Sequence, residues 1–188
     1  MMNNWQNVSI NIGGRLVGAN HPPFIIAELS GNHSQSLETA YEMIKAASEC
    51  GADAIKLQTY TADSMTLNVH TPDFVIKEQD SLWHGENLYG LYQKAATPYS
   101  WHKELFDYAK QLGMLAFSSP FDEAAVDFLD ALNVPCYKIA SFELTDVPLV
   151  RKAASKGKPL IMSTGMASLS DIELAVNTAR SAGCSDII

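Results

Sequence analysis

One phrase recurs along this chain: ECGADAIKLQ at residues 49–58, QLGMLAFSS at 111–119 and SAGCSDII at 181–188. Each is the end of a helical pattern, a turn of small residues, and an apolar run short enough for a buried strand. Reading outward, strand candidates fall at 24–29, 54–59, 115–120, 136–141, 160–165 and 186–188. Helical patterns at 37–49, 100–112, 122–132, 146–156 and 170–182 separate most of them. Gly51, Gly113, Asn133, Gly157 and Gly183 stand where helices should stop. Strands alternating with helices imply parallel pairing and right-handed crossovers.

Two architectures satisfy that grammar, a doubly wound open sheet and a β/α barrel. Neither GxGxxG nor GxxxxGK[ST] occurs, which weakens the nucleotide-binding sheet. Polar residues sit at the C-terminal ends of several different strands: Glu28, Lys56 and Gln58, Ser118 and Ser119, Lys138 and Ser141, Ser163 and Thr164. A barrel gathers those ends around one mouth, where its chemistry is built. The expectation is therefore an α/β chain forming the N-terminal portion of a TIM-type (β/α)8 barrel, with about five complete βα units where a full barrel of ~250 residues has eight. VSINIGGRLVG (8–18) reads as a β-hairpin around Gly13-Gly14. The expected division is a hairpin segment at 1–20 and a partial barrel at 21–188.

Composition narrows the function. The 188 residues carry a net charge of −8, with no Lys/Arg run, which argues against nucleic acid. No apolar run approaches the ~20 residues of a membrane helix. The start, MMNNWQNVSINIGG, lacks a basic and an apolar leader region. Cys50, Cys136 and Cys184 form no CxxC pair and read as reduced, packed thiols. These features point to the cytoplasm.

Residues 60–97 are too long for a plain connection. Phe74, Trp83, Tyr89 and Tyr92 make this stretch either a lid or binding insertion, or aromatics packed on the barrel rim. In strand 54–59, Lys56 and Gln58 share a face, since alternate residues point the same way. Lys138 interrupts another apolar strand. A lysine in a buried strand must be paired or lower its pKa. Two such lysines with the hydroxyls of Ser119, Ser141 and Ser163 form a site for a small, doubly charged anion. Glu28, read as buried, and Glu143 are the carboxylates at the same level, suited to pairing a lysine or handling a proton. His33 is either a substrate contact or a structural bond to helix or backbone. His21, His70, His84 and His102 are scattered and read as mostly exposed, with no metal spacing. Ser168 or Ser170 caps the last helix, and Ser170 with Glu173 fits a capping box.

FIIAELSGNHSQSLETAYEMIKAASECGADAIKLQTYTADSMTL, FSSPFDEAAVDFLDALNVPCYKIASFEL and GKPLIMSTGMASLSDIELAV, taken in order, resemble the sialic acid synthase family. ELSGNH, KLQTYTADSMTL, LYQKAATPYSWH and ASFEL are most similar to its pseudaminate branch. The N-acetylneuraminate branch reads closer to EIGxNHNG and KFQT, so the chain departs from it at Leu29, Ser30 and Ser34-Gln35. The resemblance implies condensation of phosphoenolpyruvate with an open-chain amino sugar, 2,4-diacetamido-2,4,6-trideoxy-altrose, releasing phosphate. The product would serve flagellin or surface polysaccharide. By the same resemblance, Lys56, Ser119, Lys138, Ser141 and Ser163 contact phosphoenolpyruvate and Gln58 the sugar. Ser119 stands where relatives often have threonine. Glu28 and Glu143 would handle the proton or a metal-bound water. A divalent ion, usually manganese, is implied, with its histidine ligands beyond residue 188. Also implied are a homodimer and a C-terminal antifreeze-like domain. On that view the 188 residues alone are expected to be poorly active.

Three rivals stay open at this level. They are an N-acetylneuraminate or legionaminate synthase, a Schiff-base aldolase using Lys138 or Lys56, and a non-catalytic truncated product.

Overall fold

The computed structural model describes residues 8–81 and 83–188. Residues 1–7 of the expected hairpin segment and leader reading, and Leu82 of the insertion, lie outside them. The elements are β1 (Ser9–Ile12), β2 (Arg15–Gly18), β3 (Ile26–Glu28), α1 (Leu37–Glu49), β4 (Ala54–Thr59), α2 (Ala62–Met65), α3 (Leu88–Ala95), α4 (Tyr99–Gln111), β5 (Leu115–Pro120), α5 (Glu123–Ala131), β6 (Tyr137–Ile139), α6 (Val147–Ala154), β7 (Leu160–Met162) and α7 (Leu169–Ser181).

β1 and β2 form the antiparallel hairpin, with Ile12 opposite Arg15. Its two-residue turn puts Gly13 at φ 56° and Gly14 at φ 95°. Two positive φ angles in succession match a type I′ turn, whose twist suits a hairpin. Ile12 is fully buried and packs in one cluster with Ala54, Phe117 and Val134. The hairpin thereby floors the N-terminal end of the larger sheet. A Cβ on Gly13 would lie 2.9 Å from Leu115 Cδ2 and 3.1 Å from Pro135 Cβ. Gly13→Ala therefore meets both a clash and a left-handed backbone. It is expected to lower unfolding free energy by about 1–3 kcal/mol, read as a lower urea midpoint at unchanged m-value.

The main sheet runs β3-β4-β5-β6-β7, all parallel. Glu28 pairs with Lys56, Gln58 with Ser119, and Lys138 with Ile161. Period-two alternation then sorts the side chains. Ile55 and Leu57 face outward into a fully buried layer with Ala40 and Ile44 of α1 and Leu105 and Ala109 of α4. The i, i+4 spacing of each helical pair lays one apolar stripe against the strands. Lys56, Gln58 and Ser119 take the opposite face. In a flat sheet β3 and β6 would stand ~14 Å apart, three strand spacings. Yet Ile26 of β3, Ala54 of β4, Phe117 of β5 and Ile161 of β7 belong to one packed cluster. The sheet is curled, as a partial β/α barrel requires.

Strand ends are where the sequence expectation runs long. β3, β6 and β7 are three residues each, so Ser141 and Ser163 lie in loops. Ser141 turns into the right-handed region and leads a 3-10 turn, Phe142–Thr145. Residues 186–188 bond to β7, with Leu160 N donating to Asp186 O and Ile188 N to Leu160 O, both at 2.9 Å. α7 starts one residue earlier than expected, so its capping box is Ser168 with Asp171, not Ser170 with Glu173. Cys50 is exposed at the end of α1, not packed, whereas Cys136 and Cys184 are buried.

The insertion is structured and pinned at both ends by buried imidazoles. His102, expected at the surface, is fully buried because the apolar stripe of α4 carries it inward. Its Nδ1 donates to Pro98 O at 3.1 Å, so its Nε2 accepts from Thr59 Oγ1 at 2.8 Å. Thr59 in turn accepts from Ser118 Oγ at 2.6 Å. Ser118 thus belongs to this outer network, away from the barrel mouth. At the other end, His33 Nδ1 accepts the Gln35 N–H at 3.1 Å, which leaves Nε2 to donate to Thr97 Oγ1 at 3.0 Å. Gln35 Nε2 adds bonds to Lys94 O and Ala96 O. His33 is fully buried with both ring nitrogens engaged, the structural bond of the two readings, and burial lowers its pKa.

Candidate functional site

β4 carries the centre of the site. Lys56 is only 4% exposed and donates to Glu28 Oε1 at 3.0 Å across the β3–β4 register. Glu28 itself is exposed, contrary to the expectation of a buried carboxylate. The pair fixes the Lys56 ammonium and leaves most of the Glu28 carboxylate in water.

Ser118 pairs with Tyr137, which sets Lys138 one step further along, beside Ser119 on the inner face. Lys138 is half-buried and makes no ion pair among the described residues. Its pKa is lowered, first by burial and then by the charge of Lys56, against weaker support from Glu28 and Glu143. Two ammonium groups thus act on each other across one inner face, with Glu28 and Glu143 as their counter-charges. An anion bound there would relieve the repulsion.

Ser119 is fully buried, yet its hydroxyl has no hydrogen-bond partner among the described residues. Buried polar atoms are normally satisfied, and an orphan calls for an explanation. A ligand oxygen would supply one. The loop after β7 passes close to Ser141, since a Cβ on Gly165 would lie 3.3 Å from Ser141 Oγ. Ser163 N donates to Ile139 O at 3.0 Å, which holds that loop against β6. The two loop hydroxyls therefore flank the β6–β7 end of the same face.

Glu143 is the second carboxylate. Its Oε2 is buried without a partner, and its pKa is raised, chiefly by burial, with Lys138 acting against that. Gln58 and Glu143 line a cavity of about 460 Å³. Most of the rest of that wall is apolar: Tyr60, Met65, Tyr92, Phe121 and Phe142. Sequence reasoning left these five unassigned as site residues. The signal was there for Phe142, which stands between Ser141 and Glu143. For Tyr92, nothing in the spacing tells a packing aromatic from a lining one.

The NeuB family pattern matches residues 43–188. The chain belongs to the NeuB family. Pseudaminic acid synthase of Helicobacter pylori is 50% identical to this NeuB-family chain over 166 residues, 88% of the chain and 48% of that protein. Pseudaminic acid synthase of Campylobacter jejuni serotype O:2 is 54% identical over 145 residues, 77% of the chain and 42% of that protein. The chain spans about half the length of these curated relatives. An N-acetylneuraminic acid synthetase from Leptospira borgpetersenii, solved in complex with citrate, superposes with a TM-score of 0.79 at 30% identity, covering 96% of the chain and 58% of that structure. A truncated 3-deoxy-D-arabino-heptulosonate 7-phosphate synthase from Thermotoga maritima shares the fold, with a TM-score of 0.68 at 16% identity over 97% of the chain and 55% of that structure. The relatives named here are sugar-acid synthases, and the chain shares their fold as a partial TIM-type barrel.

Proposed function

We propose that the protein acts as a pseudaminic acid synthase, condensing phosphoenolpyruvate with 2,4-diacetamido-2,4,6-trideoxy-altrose. The observation that carries this reading is the convergence of Lys56, Lys138 and the unpartnered Ser119 hydroxyl on one inner face. The choice of sugar rests on 50–54% identity to pseudaminic acid synthases. Identity is 36% to the mouse N-acetylneuraminate-9-phosphate synthase and 37% to the Legionella pneumophila N,N'-diacetyllegionaminic acid synthase.

Lys56 and Lys138 hold the charged groups of phosphoenolpyruvate as point charges, and Ser119, Ser141 and Ser163 complete the oxygen shell. The enol C3 forms a bond to the aldehyde carbon of the open-chain sugar, and that carbonyl oxygen takes up a proton. Positive charge developing at C2 is met by water, which loses a proton as its oxygen bonds to C2. The C2 hydroxyl then passes its remaining proton to the leaving phosphate oxygen as the C2–O bond to phosphate breaks, leaving a ketone and inorganic phosphate. Glu143, with a free buried oxygen at the cavity wall, is the group placed to receive the proton from water. Glu28 orients Lys56. Gln58 contributes a hydrogen bond to the sugar.

The divalent ion that the resemblance implies finds no ligand set here. Among the described residues no three His, Cys, Asp or Glu side chains converge. Glu28 is engaged by Lys56, and Glu143 offers one free oxygen. No described helix is long and apolar enough to cross a membrane. The cytoplasm is the proposed setting, and a homodimer the proposed state of the whole protein.

Phosphate release tests the reading. With phosphoenolpyruvate and each candidate sugar, with and without manganese, the full-length protein is expected to release phosphate only with the altrose derivative. Release with N-acetylmannosamine alone would move the assignment to the neuraminate branch. A borohydride-trapped adduct on Lys138 or Lys56 would favour the aldolase, for which the lowered Lys138 pKa is the specific support.

A further inference from the structure

We infer that the aromatic wall contributed by the 60–97 insertion and its neighbours is a methyl-recognition surface that sets sugar specificity. The inference rests on the synthase reading above and assigns the side of the site away from the phosphoenolpyruvate lysines.

The cavity is chemically two-sided. Apart from two tyrosine hydroxyls, Gln58 and Glu143 are its polar side chains; Gln58 pairs in register with Ser119, and the charge of Lys138 acts on Glu143. The other large side chains of the lining are Tyr60, Met65, Tyr92, Phe121 and Phe142. The aromatics do brace one another: Tyr60 meets Tyr92 edge-on at 5.8 Å and Phe121 at 5.4 Å. That bracing does not fill the space, since about 460 Å³ stays open between them and the polar side. Phe142 is 75% exposed although it sits between two site residues, Ser141 and Glu143. A large aromatic left in water beside a cavity is an uncovered apolar wall. Rigid rings give such a wall fixed shape at small entropic cost.

A hexose with every carbon hydroxylated has little to offer that wall. A sugar bearing methyl groups, at a deoxygenated C6 or on acetamido nitrogens, would bury them there while its oxygens meet Gln58 and Glu143. The expected discrimination is that of one methyl in an apolar pocket, about 10- to 200-fold. The Tyr60 hydroxyl stays protonated throughout the working range, since burial pushes its pKa up to about 12, so the wall carries no charge to disfavour a methyl.

The test compares kcat/KM of the full-length protein and of its Phe142→Ser and Tyr92→Ser variants on three sugars. These are the 6-deoxy diacetamido substrate, its 6-hydroxy analogue, and its N-formyl analogue, which lacks the acetamido methyls. The wild type should prefer the parent at least tenfold over one of the analogues, and which one identifies the methyl that is read. Each variant should cut that preference to below threefold while KM for phosphoenolpyruvate stays within twofold. Phe142 is exposed, so its variant keeps the experiment interpretable if Tyr92→Ser fails to fold. Equal losses on all three sugars, or an unchanged preference, overturn the inference alone. A wild type that releases phosphate with none of them overturns the synthase reading and this one with it.

Discussion

Lys138→Met is expected to weaken phosphoenolpyruvate binding about a hundredfold while leaving folding stability unchanged or raised. Truncating one member of a buried charge recognition pair costs 2–5 kcal/mol of binding. Here the fold does not depend on that charge. Lys138 has no ion-pair partner among the described residues, and Lys56 repels it. Methionine keeps the length of the side chain and removes the repulsion. Calorimetric titration with phosphoenolpyruvate and urea unfolding measure the two quantities on one sample. A loss of affinity under threefold would remove Lys138 from the anion site. A collapse of stability would make it structural. Ser119→Ala gives the companion result. Its hydroxyl has no partner to lose, so a loss of about tenfold in affinity should come with no loss of stability. Affinity should also fall as pH rises through the lowered Lys138 pKa, below the ~10.4 at which an exposed lysine discharges.

What the sequence disclosed, and what it hid, divides along the range of the interactions involved. α1, β4 and β5 fall where the apolar periodicity places them, because spacing and burial agree there over six or more residues. The turn after α5 is legible for the same local reason, as Asn133 takes the left-handed φ of 54° where the helical pattern stops. Lys56 and Gln58 share the inner face because strand parity requires it. Glu28 misled because its strand is apolar by composition, whereas its own side chain is exposed. His102 misled because one polar side chain on an apolar helical face looks like a surface residue until its partners, Thr59 and Ser118, are known. Those partners come from two other strands, 43 residues before His102 and 16 after. The cavity wall was hidden for a related reason. Tyr60 and Tyr92 are 32 residues apart, and only the folded insertion brings their rings together.

The buried imidazole makes the largest stability prediction. Burial pushes the His102 pKa from 6.5 down to about 4, against the raising effect of its bonds to backbone groups, and His33 adds a small push downward. The groups facing it are Thr59, Pro98 O, Tyr99, Phe106 and Phe128, with Ser118 behind Thr59, and none of them is a carboxylate. Folded His102 therefore stays neutral where an unfolded histidine charges. Between pH 6.5 and 4 the unfolded chain binds more protons, so stability rises with pH across that window. The contribution is fully present above 6.5 and is lost as pH falls towards 4. At about 1.4 kcal/mol per pH unit, the loss reaches about 3 kcal/mol. His33 has a lowered pKa from the same cause and adds in the same direction. Urea unfolding at pH 7.5, 5.5 and 4.5 measures the slope, and His102→Gln isolates it. Glutamine can still accept from Thr59 but does not titrate, so the variant should be less stable at pH 7.5 and lose about 3 kcal/mol less on acidification. Carboxylates elsewhere cancel in that difference. Because Thr59 and Thr97 bracket residues 60–97, amide exchange at Tyr60, Thr61 and Ala96 should quicken in acid before the sheet opens. Identical pH slopes in the two proteins would mean that His102 takes up its proton without disturbing Thr59, and the strut role would have to be abandoned.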